Sequence, residues 1–198
     1  MPVVIRNIFE DYCKEKFDVQ DCIAVNNGSS ALIAPLWSMD LEPGDEVITT
    51  PFTFISTVTS ITIAGGTPVF VDIKEDDYNI DETKIESAIT DRTKAILPVH
   101  LFGKPCNMSA IYDIAYENGL VVIEDCAQSF GAIYNDRMVG LHSDVGCYSF
   151  HKTKTMSTFE GGMILIPHDS KLDAEKVRAI TNQGPVGKYT HEYLGFNF

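Results

Sequence analysis

The segment whose residues point most clearly to a chemical reaction has two lysines just after a short apolar strand. It runs Gly146-Cys147-Tyr148-Ser149-Phe150-His151-Lys152-Thr153-Lys154, and the glycine pair Gly161-Gly162 follows it. A lysine on a strand-end loop at the mouth of an α/β sheet is partly desolvated, so its amine loses a proton more easily and can form a Schiff base with an aldehyde cofactor. The alternative is a solvated loop lysine, and the spacing alone does not choose between Lys152 and Lys154.

A pair of acids ends a second apolar run. Residues 120–123 have the composition of a strand buried on both faces, and Glu124 and Asp125 follow directly. Because side chains alternate along a strand, the two carboxylates face opposite ways and only one of them can face a given site. A carboxylate at this place can pair with the protonated nitrogen of a pyridine ring, which keeps the ring an electron sink. The alternative is an acid that caps the following turn.

A glycine turn between a strand and a helical pattern is the third candidate element. Asn27, Gly28, Ser29 and Ser30 follow a short apolar strand and open a helix. The N-terminus of a helix offers unpaired N–H groups and a partial positive charge, and the serine hydroxyls add donors for a phosphate. Serine is also a common N-cap, so a purely structural role is the alternative. Together, a lysine, a carboxylate and an anion cradle are the groups that a pyridoxal phosphate site needs.

An alternation of strands and helices must position these three segments. Strand-like segments lie near residues 22–26, 46–50, 68–72, 94–100, 120–125, 144–150 and 162–167, and helical patterns lie at 5–16, 29–39, 54–64, 81–89, 107–118 and 171–182. This order predicts an α/β fold in which a mostly parallel sheet is covered by helices on both faces. We expect one domain over residues 1–198.

Composition excludes several classes of function. The chain has 198 residues and a formal net charge of −13, which argues against a nucleic-acid surface. Its five cysteines are odd in number and contain no C-x-x-C pair, so they predict neither a disulfide framework nor a metal site, and they fit a reducing cytoplasm. We find no signal peptide and no apolar run near the roughly 20 residues that span a bilayer, so no membrane partner is predicted.

Nine ordered segments resemble the sugar aminotransferases of the DegT/DnrJ/EryC1/StrS family, which have the aspartate-aminotransferase fold (fold type I) of pyridoxal phosphate enzymes. The segments are Asn27-Gly28-Ser29-Ser30-Ala31-Leu32, Pro43-Gly44-Asp45-Glu46-Val47-Ile48, Pro51-Phe52-Thr53-Phe54, Gly66-Thr67-Pro68-Val69-Phe70-Val71-Asp72, Pro98-Val99-His100-Leu101-Phe102-Gly103, Glu124-Asp125-Cys126-Ala127-Gln128, Ser149-Phe150-His151-Lys152-Thr153-Lys154, Glu160-Gly161-Gly162 and Leu194-Gly195-Phe196-Asn197-Phe198. The resemblance implies a three-layer large domain with a seven-stranded sheet whose last strands are mixed. It also implies that the smaller C-terminal domain of relatives about twice this long is absent.

The resemblance implies a role for each candidate residue. Lys154 would be the Schiff-base lysine, Asp125 the partner of the pyridinium nitrogen and Gln128 a contact of the ring hydroxyl. Phe54 would stack on the cofactor ring, with core packing as its alternative. The phosphate would be held by Gly28, Ser29, the Ser30 backbone and Ser149, joined by Asn197 from a neighbouring subunit. His100 and His151 would line a sugar pocket, although packing or a strand-end hydrogen bond is the favoured interpretation of each.

The activity implied is transfer of an amino group, usually from glutamate, to a nucleotide-linked keto sugar for amino-sugar and surface polysaccharide biosynthesis, by a homodimer with shared active sites. Two alternatives remain open. Relatives that deoxygenate sugars replace the lysine with histidine, and the presence of Lys154 argues against that reaction. A truncated or split family member that binds pyridoxal phosphate, or pairs with a partner chain, but is inactive alone would fit the short length.

Overall fold

The computed structural model describes residues 3–187 and 190–198 and contains five α-helices, three short 3₁₀ turns and eleven strands. The helices are α1 Val3–Phe17, α2 Gly28–Ser38, α3 Ile55–Ile63, α4 Met108–Glu117 and α5 Ala174–Thr181, and the 3₁₀ turns are Glu82–Lys84, Glu86–Ala88 and Leu101–Gly103. The strands are β1 Asp21–Val25, β2 Glu46–Thr49, β3 Thr67–Phe70, β4 Thr93–Ile96, β5 Val121–Asp125, β6 Ile133–Tyr134, β7 Arg137–Met138, β8 Val145–Ser149, β9 Gly162–Ile166, β10 Pro185–Gly187 and β11 Thr190–His191.

Seven strands form one sheet in the order β1-β9-β8-β5-β4-β2-β3. Strand β9 pairs antiparallel with both of its neighbours, β1 and β8, whereas every other pairing in this sheet is parallel. The remaining strands therefore run in one direction, and their carboxyl ends meet at a single edge. The predicted mostly parallel, seven-stranded sheet with mixed last strands is confirmed.

Alternating side chains bury both faces of this sheet, which makes the fold three layers deep. On strand β5, Ile123 packs in the core beneath α2, α3 and α5, whereas Val122 packs in the core beneath α4. On β8, Cys147 and Tyr148 divide in the same way, and Tyr148 lies in the cluster that includes Cys13 of α1. The period of two along each strand is what assigns helices to opposite faces.

The prediction of a helix over residues 81–89 was wrong. The segment forms the two 3₁₀ turns, held by i to i+3 bonds such as Lys84 N–H to Asp81 O and Ala88 N–H to Ile85 O. Only Ile85 is fully buried in these turns, so the apolar stripe that would anchor a regular helix is missing. Helix α5 also begins later than predicted, because the Asp173 carboxylate caps it by accepting the N–H groups of Glu175 and Lys176.

Two short antiparallel strand pairs, β6–β7 and β10–β11, were not predicted. The turn between β6 and β7 is Asn135-Asp136, and both residues have positive φ angles of 45° and 63°. A two-residue turn with two left-handed residues is the geometry that lets the strands of a hairpin keep their twist, and after glycine it is asparagine and aspartate that tolerate it best. Within the described residues, no helix is both long and apolar enough to cross a membrane.

The Glu124 carboxylate is the most heavily bonded group at the end of β5. It is fully buried, and it accepts hydrogen bonds from His100 Nε2 at 2.8 Å, Gly140 N–H at 2.8 Å, His142 N–H at 3.0 Å and the Ser143 hydroxyl at 2.7 Å. Burial alone would raise the pKa of Glu124, but these donors outweigh it and hold the pKa below its ordinary value.

The lowered pKa predicts an acid-sensitive contribution to stability. The ionised form is favoured in the folded state, so the stabilisation is fully present above the ordinary pKa of 4.5 and is lost as the pH falls through the lower folded value. Glu124→Gln should cost about 3 to 5 kcal/mol near pH 7, because it places an amide donor among buried donors. Its free energy of unfolding should then fall less than that of the native protein between pH 7 and pH 4 in urea titrations. Exposed Glu117→Gln on α4 is the control, and parallel curves for Glu124→Gln and native protein would contradict the assignment.

Candidate active site

A cleft of about 360 Å³ opens at the edge where the parallel strands end. Its walls come from the turn before α2, the first turn of α3, the end of β5 and the loop after β8. The lining residues are Asn27, Gly28, Ser29, Leu32, Thr53, Phe54, Ser56, Thr57, Val99, Asp125, Ala127, Gln128, Ser149, His151, Thr153, Lys154 and Glu160. A cleft of this volume, with polar groups set among apolar walls, suits a small-molecule ligand.

The N-terminus of α2 forms one end of the cleft. Asn27 is the N-cap, and its side-chain oxygen accepts the N–H of Ser30 at 2.9 Å. Among the described residues, the N–H groups of Gly28 and Ser29 have no hydrogen-bond partner. Two free donors at a helix N-terminus, joined by the Ser29 and Ser149 hydroxyls, can bind an anion such as a phosphate.

Ser30 does not line the cleft, contrary to its predicted part in the cradle. Its N–H is taken by Asn27, and its buried hydroxyl donates to the side chain of Asn26 at 2.6 Å. The sequence pattern could not separate the two serines. The N-cap geometry assigns Ser29 to the cleft and Ser30 to the capping network.

Gly28 allows the helix to approach the sheet closely. A Cβ atom at this position would lie 2.6 Å from the Cβ of Ser149 at the end of β8, a separation that real side chains do not tolerate. Glycine is therefore required for the anion-binding end of α2 to lie against Ser149. This contact brings donors from two distant segments to the same place.

Asp125 provides a buried carboxylate in the cleft. Its Oδ2 accepts the Thr57 hydroxyl at 2.8 Å, and its Oδ1 accepts the N–H of Ala127 at 3.1 Å. Burial raises the pKa of Asp125 above its ordinary value, and the two hydrogen bonds and the nearby charge of Lys154 offset this only in part. Glu124 lies on the opposite face of β5, so the alternation predicted for this pair of acids is confirmed.

The structure separates the two candidate lysines. Lys154 is partly buried and lines the cleft, whereas Lys152 is exposed and lies outside it. The loop that carries them folds back on itself, because Lys152 N–H donates to Phe159 O and Lys154 N–H donates to His151 O. Of the two lysines, Lys154 is therefore the one that lines the cleft.

Phe54 and Gln128 also reach the cleft. Phe54 is 66% exposed at the mouth, immediately before α3. The side-chain oxygen of Gln128 accepts the N–H of Phe102 at 2.9 Å, so its amide NH₂ remains as the donor available to a ligand. An exposed aromatic at the mouth of a polar cleft is available to cover the face of a bound ring.

The two histidines have different environments. His100 is fully buried and does not line the cleft; its Nδ1 accepts the N–H of Cys106 at 3.0 Å, so the ring is neutral and its Nε2–H donates to Glu124. The packing interpretation favoured for His100 is thus the one that the structure supports. His151 lines the cleft, with Nε2 3.7 Å from the Glu160 carboxylate and Nδ1 2.9 Å from the Thr153 hydroxyl.

Asn197 does not reach the cleft of its own chain. It pairs with Asn182 through a single β-bridge, and the adjacent Phe196 packs on Trp37 near the C-terminal end of α2. The N-terminus of α2 lies roughly 13 Å away along the helix, at 1.5 Å per residue. Asn197 is exposed, so it remains accessible to another subunit.

The sequence analysis did not identify the hydroxyl groups just before α3 and in its first turn as part of the site. Thr57 bonds Asp125, Thr53 lies 2.8 Å from Thr57, and Ser56 lies 2.7 Å from the Ser29 hydroxyl. Their only signal is a run of serine and threonine in a helix that follows an aromatic segment. Such a run predicts no ligand without knowledge of which hydroxyl faces the strand ends.

The three-layer fold, with its cleft at the carboxyl ends of the parallel strands, is the fold of the fold type I aminotransferases among the solved structures that this chain resembles. Residues 6–198 match the model of the DegT/DnrJ/EryC1/StrS aminotransferase family, and the chain belongs to this family. The resemblance identified from the sequence is therefore confirmed.

The curated relatives that this chain matches are longer than the chain itself. It is 48% identical over 175 residues to the pleiotropic regulatory protein of Geobacillus stearothermophilus, covering 88% of this chain and 47% of that protein. It is 41% identical over 198 residues to GDP-perosamine synthase of Caulobacter vibrioides, covering 99% of this chain and 52% of the synthase. The crystal structure of a DegT DnrJ EryC1 StrS aminotransferase from Brucella abortus superimposes with a TM-score of 0.90 at 34% identity, covering 100% of this chain and 54% of that one. The chain spans about half the length of the curated relatives it matches.

The raised pKa of Asp125 predicts that this acid destabilises the cofactor-free fold. The penalty is present when the carboxyl is ionised, above its folded pKa, and vanishes below the ordinary value of 3.8. Asp125→Asn should therefore raise the melting temperature at pH 7, because the amide keeps partners in Ala127 and Thr57 without a buried charge. Calorimetry of the cofactor-free variant and native protein checks this, and a lower melting temperature for the variant would refute the burial argument.

Proposed function

We propose that this chain forms the pyridoxal phosphate site of an aminotransferase that moves an amino group from an amino acid, expected to be glutamate, to a nucleotide-linked keto sugar. One observation carries the proposal: Lys154, Asp125 and the open N-terminus of α2 line the same cleft. The name of the related GDP-perosamine synthase supports a nucleotide-linked substrate. The pathway expected is amino-sugar and surface polysaccharide biosynthesis.

The residues of the cleft fit pyridoxal phosphate. The free N–H groups of Gly28 and Ser29, with the Ser29 and Ser149 hydroxyls, suit the phosphate, and the buried Asp125 carboxylate suits a protonated ring nitrogen. Bound pyridoxal phosphate supplies an electron sink for the carbanion that amino-group transfer requires. The fit thus assigns a partner to each polar end of the cofactor.

The protein's own groups divide the remaining work. Lys154 holds the cofactor by its amine between turnovers and, once free, moves the proton at the substrate carbon as a general acid and base. Asp125 keeps a proton on the ring nitrogen, the NH₂ of Gln128 donates to the ring hydroxyl, and Phe54 covers the ring. His151 and Glu160 stand at the cleft wall as polar contacts for a sugar.

We propose a homodimer in which each subunit completes the partner's site. Asn197 is exposed and remote from its own cleft, which fits a donor to the phosphate of another subunit. A two-fold interface is isologous, so each subunit would both give and receive this side chain. The five buried, unpaired cysteines support a reducing compartment such as the cytoplasm.

Covalent trapping tests the assignment of the lysine. Protein given pyridoxal phosphate should turn yellow, and borohydride should fix the cofactor to Lys154, as peptide mapping can show. Lys154→Ala should abolish the adduct, and Lys152→Ala, which changes a lysine two residues away, should retain it. An adduct on Lys152 would overturn the assignment. Trapping on Lys154 without turnover of glutamate would favour the alternative of a binding-competent chain that is inactive alone.

Mixing two inactive variants tests the shared site. Lys154→Ala and Asn197→Ala chains should form heterodimers in which one site carries both defects and the other carries neither. Random pairing should restore about a quarter of the native sites, measured as the half-reaction with glutamate. Lys154→Ala mixed with Asp125→Asn is the matched control, because those residues belong to one subunit's site and no intact site can form. Equal recovery in both mixtures, or a monomer that binds pyridoxal phosphate at full strength, would refute the shared site.

A further inference from the structure

Two threonine hydroxyls connect the cleft with the Asp125 carboxylate. Thr57 Oγ1 donates to Asp125 Oδ2 at 2.8 Å, and both side chains are buried. Thr53 Oγ1 lies 2.8 Å from Thr57 Oγ1. Because the single proton of the Thr57 hydroxyl is directed to Asp125, Thr53 must be the donor to Thr57. The two hydroxyls therefore form a directed chain that ends on the carboxylate.

Thr57 does not behave like the other threonines of α3. Thr59 and Thr62 return their hydroxyls to carbonyls of their own helix, Ile55 O and Val58 O, each at 3.1 Å. This back-bonding is the usual choice for threonine inside a helix. The Thr57 hydroxyl instead leaves the helix for the end of β5. Its placement is thus specific to Asp125 rather than a general property of the segment.

The carboxylate is held at both of its oxygens. Thr57 occupies Oδ2, and the N–H of Ala127 occupies Oδ1 at 3.1 Å. One donor on each oxygen fixes the plane of the group and still leaves lone pairs for a ligand in the cleft. The Ala127 donor belongs to the backbone and is insensitive to substitution. Substitution can therefore remove only the hydrogen bonds that come from the two threonine side chains.

We propose that the Thr53–Thr57 hydroxyl pair is a positioning device that fixes the orientation of Asp125 and keeps it ionised for a cationic ring nitrogen in the cleft. The inference rests on the proposed function for its ligand. Its effect on Asp125 exists in the cofactor-free protein as well. Neither threonine is a catalytic residue, because each acts on the ligand through the carboxylate.

The Thr57 hydroxyl can affect the protonation of Asp125 because few other groups near this carboxyl are charged. Burial raises the pKa of Asp125, whereas the hydrogen bond from Thr57 and the charge of Lys154 lower it. The other titratable groups nearby are His100 after β4, Cys126 next in the chain and Cys147 of β8. Burial lowers the pKa of His100 and its hydrogen bonds raise it well above the ordinary value, but Nδ1 accepts the N–H of Cys106 and so holds no proton, which makes the ring neutral. Burial raises the pKa of both thiols, so neither thiol carries charge near neutral pH. Loss of the Thr57 donor should therefore shift Asp125 further towards protonation.

The experiment follows the Asp125 carboxyl carbon by ¹³C NMR in cofactor-free protein, with the signal assigned by its loss in Asp125→Asn. Thr57→Val, which keeps the shape and removes the hydroxyl, should move the titration of Asp125 to higher pH, and Thr57→Ser should restore it. Thr53→Val should shift it in the same direction by less. Pyridoxal phosphate affinity, measured separately by absorbance, should fall at least about tenfold in Thr57→Val, as the loss of a hydrogen bond to a charged group predicts.

Thr59→Val is the matched control, because it is the same substitution on the same helix at an exposed hydroxyl that bonds only its own backbone. It should leave both measurements at native values. An Asp125 titration in Thr57→Val equal to that of Thr57→Ser would overturn the proposal. Should Thr57→Val not fold, a native titration in the partly exposed Thr53→Val would overturn it equally. Native protein that binds no pyridoxal phosphate would refute the proposed function, while the NMR result would still decide the hydroxyl pair.

Discussion

The buried Glu124 carboxylate is the interaction on which the rest of the site depends. Its donors come from His100 after β4 and from the 140–143 loop before β8, so one anion joins the carboxyl end of β4 to the loop that leads into β8. Asp125 is the next residue, and its backbone N–H and O bond Pro98 and His100. One strand end therefore carries two acids of opposite character. Glu124 is saturated with donors and stabilises the fold, whereas Asp125 is left under-compensated and available to a ligand.

Much of the fold could be predicted, because the strands alternate with helices and are buried on both faces. All seven strands of the main sheet were located to within a few residues. The limits of β4 and α5 depended on local events, such as Pro98 interrupting the ladder and Asp173 capping the helix. The two 3₁₀ turns were predicted as a helix because residues 81–89 include helix-forming residues. The prediction failed because only one residue of the segment is fully buried, which is too few to anchor a regular helix on the sheet. The sequence around β10 and β11 has no alternating pattern of the kind that located the seven strands of the main sheet.

The residue pattern predicted that one of the two acids at the end of β5 would face the site, and the resemblance selected Asp125 over Glu124 and Lys154 over Lys152. Sequence could not exclude Ser30, because the choice between two adjacent serines rests on which N–H the Asn27 side chain accepts. Nor could it find Thr57, whose partner lies 68 residues away along the chain. Contacts of that kind arise only when helix α3 is docked on the sheet. The missed groups are thus those defined by tertiary packing rather than by a local pattern.

Among the described residues, strand β1 lies at the edge of the sheet and pairs with β9 alone. Val25 therefore finds its partner Gly162 after a separation of 137 residues (162 − 25). At about 5 to 20 residues per second, a ribosome needs on the order of ten seconds to bridge that gap. During this interval β1 has no β9 to pair with, and Gly28 in the turn after β1 has no Ser149 to pack against. Nascent chains of this domain therefore expose the edge of β1 until β9 has been synthesised, and the anion-binding corner cannot assemble before then.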